Sequence, residues 1–583
     1  MHLPQIVFGA IALLFLAHYP VCAQTTLSGS ALALHSIGSA DGNSWTLSQN
    51  GYVGTYISLL APGSVVISAI ASGSSSNAVL PHMNFAVGDI VRGWDVALVT
   101  STYEATLPLP AGVYFVRIEL TNDDAQTSRS LTISSLSVVG AVILNSNSDE
   151  NALASAATYT ANYRRGTARI RIPWFAPGTQ VRVKLSRLAF NLGGITSGLT
   201  SFPDLETNPA AGSQAERYQN LVTNSFNALV PSNGGKWAYN EANRDVVTME
   251  SIDSFLSFTR AHNLRSRMHT MLWDTNQQPV WVQDLMSQAA AGDLAAKAAL
   301  RDEIFERIDY YVRRRARDLV EIDVLNESIH HPRYLQIFGE SGIAEIFTRV
   351  NEALISANSL ALPMLNEFNV LQFSIDPTTG VSDPYANWYR SHAENIRDAG
   401  GRMGGIGVQY YADVRDRSVI GANAHSAARI AQAIRNLSVT GLPVSLTEFG
   451  VVSNGGAWDW AYATQIMVET LRIVFGTPQA TGFMFWQLRA LTPDSFGLVD
   501  ANWHSTPAGD AFRALLTEWD TDVQTTIAND GTIEFNGYYG DYELTIDSQP
   551  FSFTLIRGVT DYILPRYLLP QRPAPNPKFG LRR

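Results

Sequence analysis

The chain has 583 residues, more than one hydrophobic core usually serves, so several domains are expected. It is 46% hydrophobic, 10% aromatic and 16% charged with a net charge of −11, which excludes a mainly disordered chain and argues against a protein that grips phosphate backbones. A single cysteine excludes a disulfide scaffold and a Cys-ligated zinc site.

Residues 1–23 read as a signal peptide. An apolar run from Ile6 to Ala17 precedes the small residues Val21-Cys22-Ala23, which suit cleavage after Ala23. A membrane helix is the alternative, but the run is too short to cross a bilayer. The positively charged start usual in such leaders is missing. Secretion is expected, and the cut removes the only cysteine, Cys22.

Residues 24–150 are rich in Ser, Gly, Ala, Val and Thr, with short alternating runs such as GYVGTYISLL and GVYFVRIEL bounded by turn residues. This predicts an all-β sandwich. Trp94, Tyr103 and Tyr114 are candidate sugar-stacking residues, and the second half resembles the final strands of carbohydrate-binding jelly-roll modules. Asn122, Asp123 and Asp124 offer oxygen ligands for Ca²⁺, the alternative being an Asx-rich hairpin turn. Polar SNSDENALASAA (146–157) reads as a linker.

Within 151–520, eight apolar runs follow: AFNLGGI, FNALVPSN, RMHTMLW, EIDVLN, PMLNEFNV, GIGVQYY, LPVSLTEFG and GFMFWQL. Amphipathic segments separate most of them, which predicts a (β/α)₈ barrel. Arg313, Arg314 and Arg315 read as a solvated helix face rather than a nucleic-acid or membrane contact. Residues 521–583 return to alternation, predicting a small β appendage with a Pro-rich tail.

Two of the apolar runs end in carboxylates, Asn326-Glu327 and Thr447-Glu448. Their places along the chain fit the ends of barrel strands four and seven, which face each other across the mouth. Burial and neighbours there shift acid pKa values. Two carboxylates across a cleft are the equipment for glycoside hydrolysis, one to protonate the leaving oxygen and one to attack or to activate water. Structural ion pairs are the alternative for either acid.

Five ordered motifs, VPSNGGKW (230–237), RMHTMLWD (267–274), IDVLNES (322–328), GIGVQYY (405–411) and LTEFG (446–450), resemble glycoside hydrolase family 10. The family consists mainly of endo-β-1,4-xylanases with a (β/α)₈ barrel and a retaining mechanism. The resemblance makes Glu327 the acid/base, Glu448 the nucleophile and Asn326 the ligand of the sugar 2-hydroxyl. It places Asn233, Lys236, His269, Trp273, Gln409 and Trp486 at glycone-binding positions, with core packing the alternative for the two tryptophans. It implies a polysaccharide substrate, foremost xylan, and no cofactor for cleavage. A monomer without nucleic-acid or membrane partners is expected. Another β-glycanase, an exo-acting glycosidase, or a non-catalytic polysaccharide-binding protein are the competing readings.

Four positions depart from the family pattern. Ser232 replaces a Glu, Asp274 a His, Tyr411 a His and Gly450 an Asp. In the pattern that His bonds the nucleophile and that Asp supports the His, so the last two changes are expected to be linked. The Tyr411 phenol is expected to donate to Glu448 instead. Asn326-Glu327-Ser328 and Asn436-Leu437-Ser438 are glycosylation sequons, and Asn436 is the expected acceptor because a glycan on Asn326 would block the cleft.

Overall fold

The computed structural model describes residues 24–564 except 33, 76–77, 125, 127, 146, 197–204, 206–207, 373–383, 415–424 and 454–456. The expected leader and the Pro-rich end of the chain lie outside the described residues. Among those described, no helix is long and apolar enough to cross a membrane.

The alternating N-terminal runs pair into two antiparallel sheets. One carries Arg129–Val139 between Gly63–Ser75 and Ser44–Leu47; the other carries Gly112–Leu120 between Gly51–Leu59 and His82–Val87. Their inward residues, among them Leu47, Ile67, Phe85, Ile118 and Ile133, share one core, as a period of two dictates. Trp94, Tyr103 and Tyr114 are half-buried and pack against that core. The Tyr103 hydroxyl accepts from Ala97 N at 2.7 Å, and that of Tyr114 donates to Pro110 O at 3.0 Å.

The Asx cluster takes the turn alternative. Asn122 Oδ1 accepts from His82 N at 2.7 Å and Asp123 Oδ1 from Arg129 N at 2.8 Å. Asp124 Oδ1 accepts from Gln126 N at 2.9 Å, and its Oδ2 meets Arg129 Nη1 at 3.1 Å. Oxygens committed to amides and a guanidinium are poor ligands for a hard cation.

The segment expected as a linker is instead the helix Asp149–Tyr163. Ser148 caps it, accepting from Asn151 N at 3.2 Å, and Asp149 and Glu150 lie in its first turn, where acids suit the helix dipole. Asp149 Oδ1 also accepts from Ser426 Oγ at 2.6 Å and from Ala428 N at 2.8 Å, so it caps the barrel helix Ala427–Ser438 as well. The buried Arg435 of that helix donates to Leu144 O of the sandwich at 2.8 Å.

The barrel strands are Asn191–Ile195, Ala228–Val230, Arg265–Met268, Leu319–Asn326, Leu362–Glu367, Gly405–Asp413, Val444–Val452 and Ala480–Phe485, here numbered one to eight. All pair in parallel, and strand eight pairs with strand one to close the ring. The expected (β/α)₈ barrel is present.

The boundary of the C-terminal β region differs from the expectation. Arg165–Arg171 and Gln180–Leu188, expected to belong to the barrel segment, pair with Thr532–Tyr538 and Gly540–Ile546 across the chain. Ile170, Val183, Leu544 and Phe551 share their core. Strands on both flanks of the barrel thus build one β module. Alternating apolar residues in ARIRI carry the signal for it.

The sequon at Asn436 is corrected too. Asn436 is 1% exposed; its Oδ1 accepts from Arg390 Nη1 at 2.6 Å and its Nδ2 donates to Asn387 Oδ1 at 2.7 Å. An amide so enclosed offers no nitrogen to a glycan in the folded chain.

Candidate active site

Strand four is almost wholly buried, which commits its backbone to the barrel wall up to Asn326. Glu327 follows with φ 58°, in the left-handed region that costs a residue with a Cβ about 1–3 kcal/mol. Two backbone bonds hold it there: Glu327 N donates to Asn366 O at 2.7 Å, and Glu327 O accepts from His331 N at 2.6 Å. The carboxylate takes Trp273 Nε1 on Oε2 at 2.7 Å and Gln409 Nε2 on Oε1 at 3.0 Å.

Glu448 lies within strand seven, where the pairing registers shift on both sides. Its Oε2 accepts from the Tyr411 hydroxyl at 2.6 Å, the bond expected from the sequence. Burial and the adjacent carboxylate push the Tyr411 phenol well above its usual range, so it stays a donor. His269 Nε2 stands 4.0 Å from Glu448 Oε1.

The space around Tyr411 explains Gly450. A Cβ added at 450 would meet Tyr411 Cδ1 and Gln487 Oε1 at 2.8 Å each. The ring fills the room that an aspartate would take, so the two departures come as a pair. Asp274 has also gained a partner: Arg333 Nε donates to its Oδ1 at 2.8 Å and Arg333 N to its Oδ2 at 3.2 Å.

Burial pushes both carboxyls up, Glu448 to about 8. At Glu448 the Tyr411 bond and Arg267 work against burial while Glu327 adds to it; at Glu327 the Gln409 and Trp273 bonds work against burial while Glu367 adds to it. Lys236 draws on Glu448 more than on Glu327, yet burial still lowers it to about 8. Hydrogen-bond donors thus favour the anion at both acids, and the neighbouring acids oppose it at both.

Sequence reasoning missed the layer beneath. Buried Arg267 donates from Nε to Glu321 at 3.2 Å and pairs with Asp323, whose other oxygen meets His269 Nδ1 at 2.8 Å. Burial lowers His269 to about 4, so it is neutral; with Nδ1–H on Asp323, Nε2 remains an acceptor. Acids and an arginine inside otherwise apolar strands were the available signal, since such charges need partners there. His331, not singled out either, places Nε2 3.6 Å from Glu327 Oε2.

Asn326 is aimed by a relay. Thr447 Oγ1 donates to Asn366 Oδ1 at 2.5 Å, and Asn366 Nδ2 donates to Asn326 Oδ1 at 2.7 Å. That leaves Asn326 Nδ2 a buried donor with no partner among the described residues. Lys236 Nζ donates to Asn233 Oδ1 at 2.6 Å and sits 5.0 Å from the Trp273 ring centroid. Trp273 and Trp486 flank His269, with centroids 6.0 and 5.2 Å away, and neither is fully buried. The ten predicted site residues thus form one connected group at the mouth of the barrel.

Residues 202–496 match the model of glycosyl hydrolase family 10. The chain belongs to this family. It is 27% identical over 335 residues to an anti-sigma-I factor (RsgI6) of Acetivibrio thermocellus, covering 56% of this chain and 39% of that protein. It is 23% identical over 379 residues to endo-1,4-beta-xylanase 1 of Arabidopsis thaliana, covering 63% of this chain and 34% of that one. The chain thus spans well under half the length of these curated relatives. Among solved structures, xylanase 10B of Thermotoga maritima superposes with a TM-score of 0.46 at 18% identity, over 57% of this chain and 95% of that one.

Proposed function

We propose that this chain is a secreted, retaining glycoside hydrolase that cleaves internal β-1,4 linkages of a plant cell-wall polysaccharide, foremost xylan. The observation that carries this reading is the pair Glu327 and Glu448, each bonded by side chains from other barrel strands. Family membership and the xylanases among the relatives support it.

In the proposed reaction Glu448, ionised beside Lys236 and Arg267, attacks the anomeric carbon from one face. Glu327, protonated, delivers its proton to the departing oxygen. Water then hydrolyses the glycosyl-enzyme with Glu327 as base, which returns the proton and completes the cycle. Asn326 Nδ2 and His269 Nε2 supply a donor and an acceptor for sugar hydroxyls, while Trp273 and Trp486 offer ring faces to the sugars. Removal of the leader residues by a signal peptidase would export the enzyme to its polymer.

A second reading, binding without turnover, is favoured by one observation: the surroundings of Glu448 depart from the family pattern at Tyr411 and Gly450. Reducing-end release from xylan, mixed-linkage glucan, mannan and galactan decides between them. Release from xylan by the wild type, lost in Glu327→Ala and Glu448→Ala, is expected. Binding to xylan with no release in the wild type would establish the second reading.

A further inference from the structure

The cleft opens into a side pocket of about 490 Å³ between barrel strands one, two and eight. Asn233 and Trp486 line it, joining it to the group around the carboxylates, and Ser232 stands beside Asn233 in the same wall. Much of the remaining wall is apolar, with Leu488, Phe496 and Trp503 prominent. Among the described residues one charged side chain lines this pocket, Arg489.

The partners of Arg489 are neutral. Nη1 donates to Gln214 Oε1 at 3.2 Å and Nη2 to Ala501 O at 2.5 Å, while the guanidinium carbon lies 4.8 Å from the Trp503 ring centroid. Across the barrel mouth, by contrast, Arg333 is neutralised by Asp274. A half-buried cation held in place by neutral acceptors, in an apolar wall, gains most from an anion brought by a ligand. Ser232 sharpens this. A glutamate at that position would set a carboxylate in the same wall, compensating the guanidinium and repelling an incoming acid.

We infer that the pocket receives a uronic-acid side branch carried by a backbone sugar on the glycone side, its carboxylate on Arg489 and its ring against the apolar wall. A bare inorganic anion would satisfy the guanidinium but leave that wall unfilled, whereas a sugar acid matches both features. The inference rests on the proposed reading of the cleft as a β-glycan site and names a substrate class within it. Ser232 and Arg489 would be specificity-determining residues, with no part in bond cleavage.

The test is calorimetric binding to the Glu448→Gln chain, so that turnover is not needed. Three xylo-oligosaccharides of equal length are compared: unbranched, bearing one glucuronic-acid branch, and bearing the same branch with its carboxyl reduced to the alcohol. The acidic branch is expected to tighten binding about tenfold, the reach of one charge-assisted hydrogen bond. Reduction of the carboxyl, Arg489→Gln and Ser232→Glu are each expected to remove that gain while leaving the unbranched ligand unaffected. Equal affinity for all three ligands would overturn the inference, as would an Arg489→Gln variant weakened equally toward all of them. Turnover by the wild-type chain separates the two readings. Cleavage of the unbranched oligosaccharide without any carboxylate effect sinks this inference alone, and carboxylate-dependent binding without cleavage of any ligand sinks the hydrolase reading alone.

Discussion

The bond from Tyr411 to Glu448 carries the most consequence of any single contact in the cleft. It holds one oxygen of the proposed nucleophile and favours its anion against burial. Tyr411→Phe is expected to lower kcat/KM on xylan by about 10- to 100-fold, the 1.5–3 kcal/mol of a hydrogen bond to a charged group. The acid limb of the pH profile is expected to move upward, because the anion loses a donor. An unchanged profile would show that the phenol only fills space. Gly450→Asp alone is expected to be disruptive, since its Cβ collides with the Tyr411 ring, and Tyr411→His is expected to relieve it. The sign of the pH dependence follows from the upward shifts. Glu448, at about 8, and the raised Glu327 interact, so the pair titrates together and holds its protons to higher pH than free carboxyls. Activity falls in acid as both become protonated and falls above about pH 8 as the last proton leaves. A profile peaking below pH 4 would contradict this.

At the scale of elements, the barrel supplies a rigid frame for the two acids, and a charged layer under strands three and four fixes their surroundings. Arg267→Met is expected to cost about 3–5 kcal/mol, because Glu321 and Asp323 stay buried without their cation. Thermal unfolding reads this out, and a melting temperature within a degree of wild type would refute it. The strands and Glu327 were legible because a continuous apolar run commits the backbone to a buried strand and the acid follows where it emerges. Glu448 falls on the expected strand but lies within it, since strand seven runs on to Val452. The supporting layer was not legible, since Arg267 and Asp323 sit 56 residues apart and meet only through parallel pairing. The helix Asp149–Tyr163 was misread for a related reason. Its buried face is Ala152, Ala156 and Tyr159, small or polar-tipped residues that carry little amphipathic signal. It seats closely on the barrel: a Cβ at Gly476 would collide with the Ala156 carbonyl.

Across the whole molecule, the sandwich is joined to the barrel by packed contacts rather than by a loose tether. Leu34, Tyr56, Val113 and Leu144 form a cluster against which Val439, the residue just past the barrel helix Ala427–Ser438, packs. The terminal β module draws its strands from before and after the barrel segment, so its stability depends on both ends of that segment. A chain ending at residue 520 would leave Arg165–Arg171 and Gln180–Leu188 as unpaired edges with exposed apolar faces. It is expected to aggregate or to melt at least several degrees lower, and a soluble truncation with an unchanged melting temperature would show that the barrel does not need the module. The central claim, that Glu448 forms a covalent glycosyl intermediate which Glu327 helps to make and break, is tested most directly by proton NMR of the sugar anomer released first from a xylo-oligosaccharide. The β anomer is predicted to appear before mutarotation and to be absent with Glu448→Ala, whereas first release of the α anomer would contradict the account.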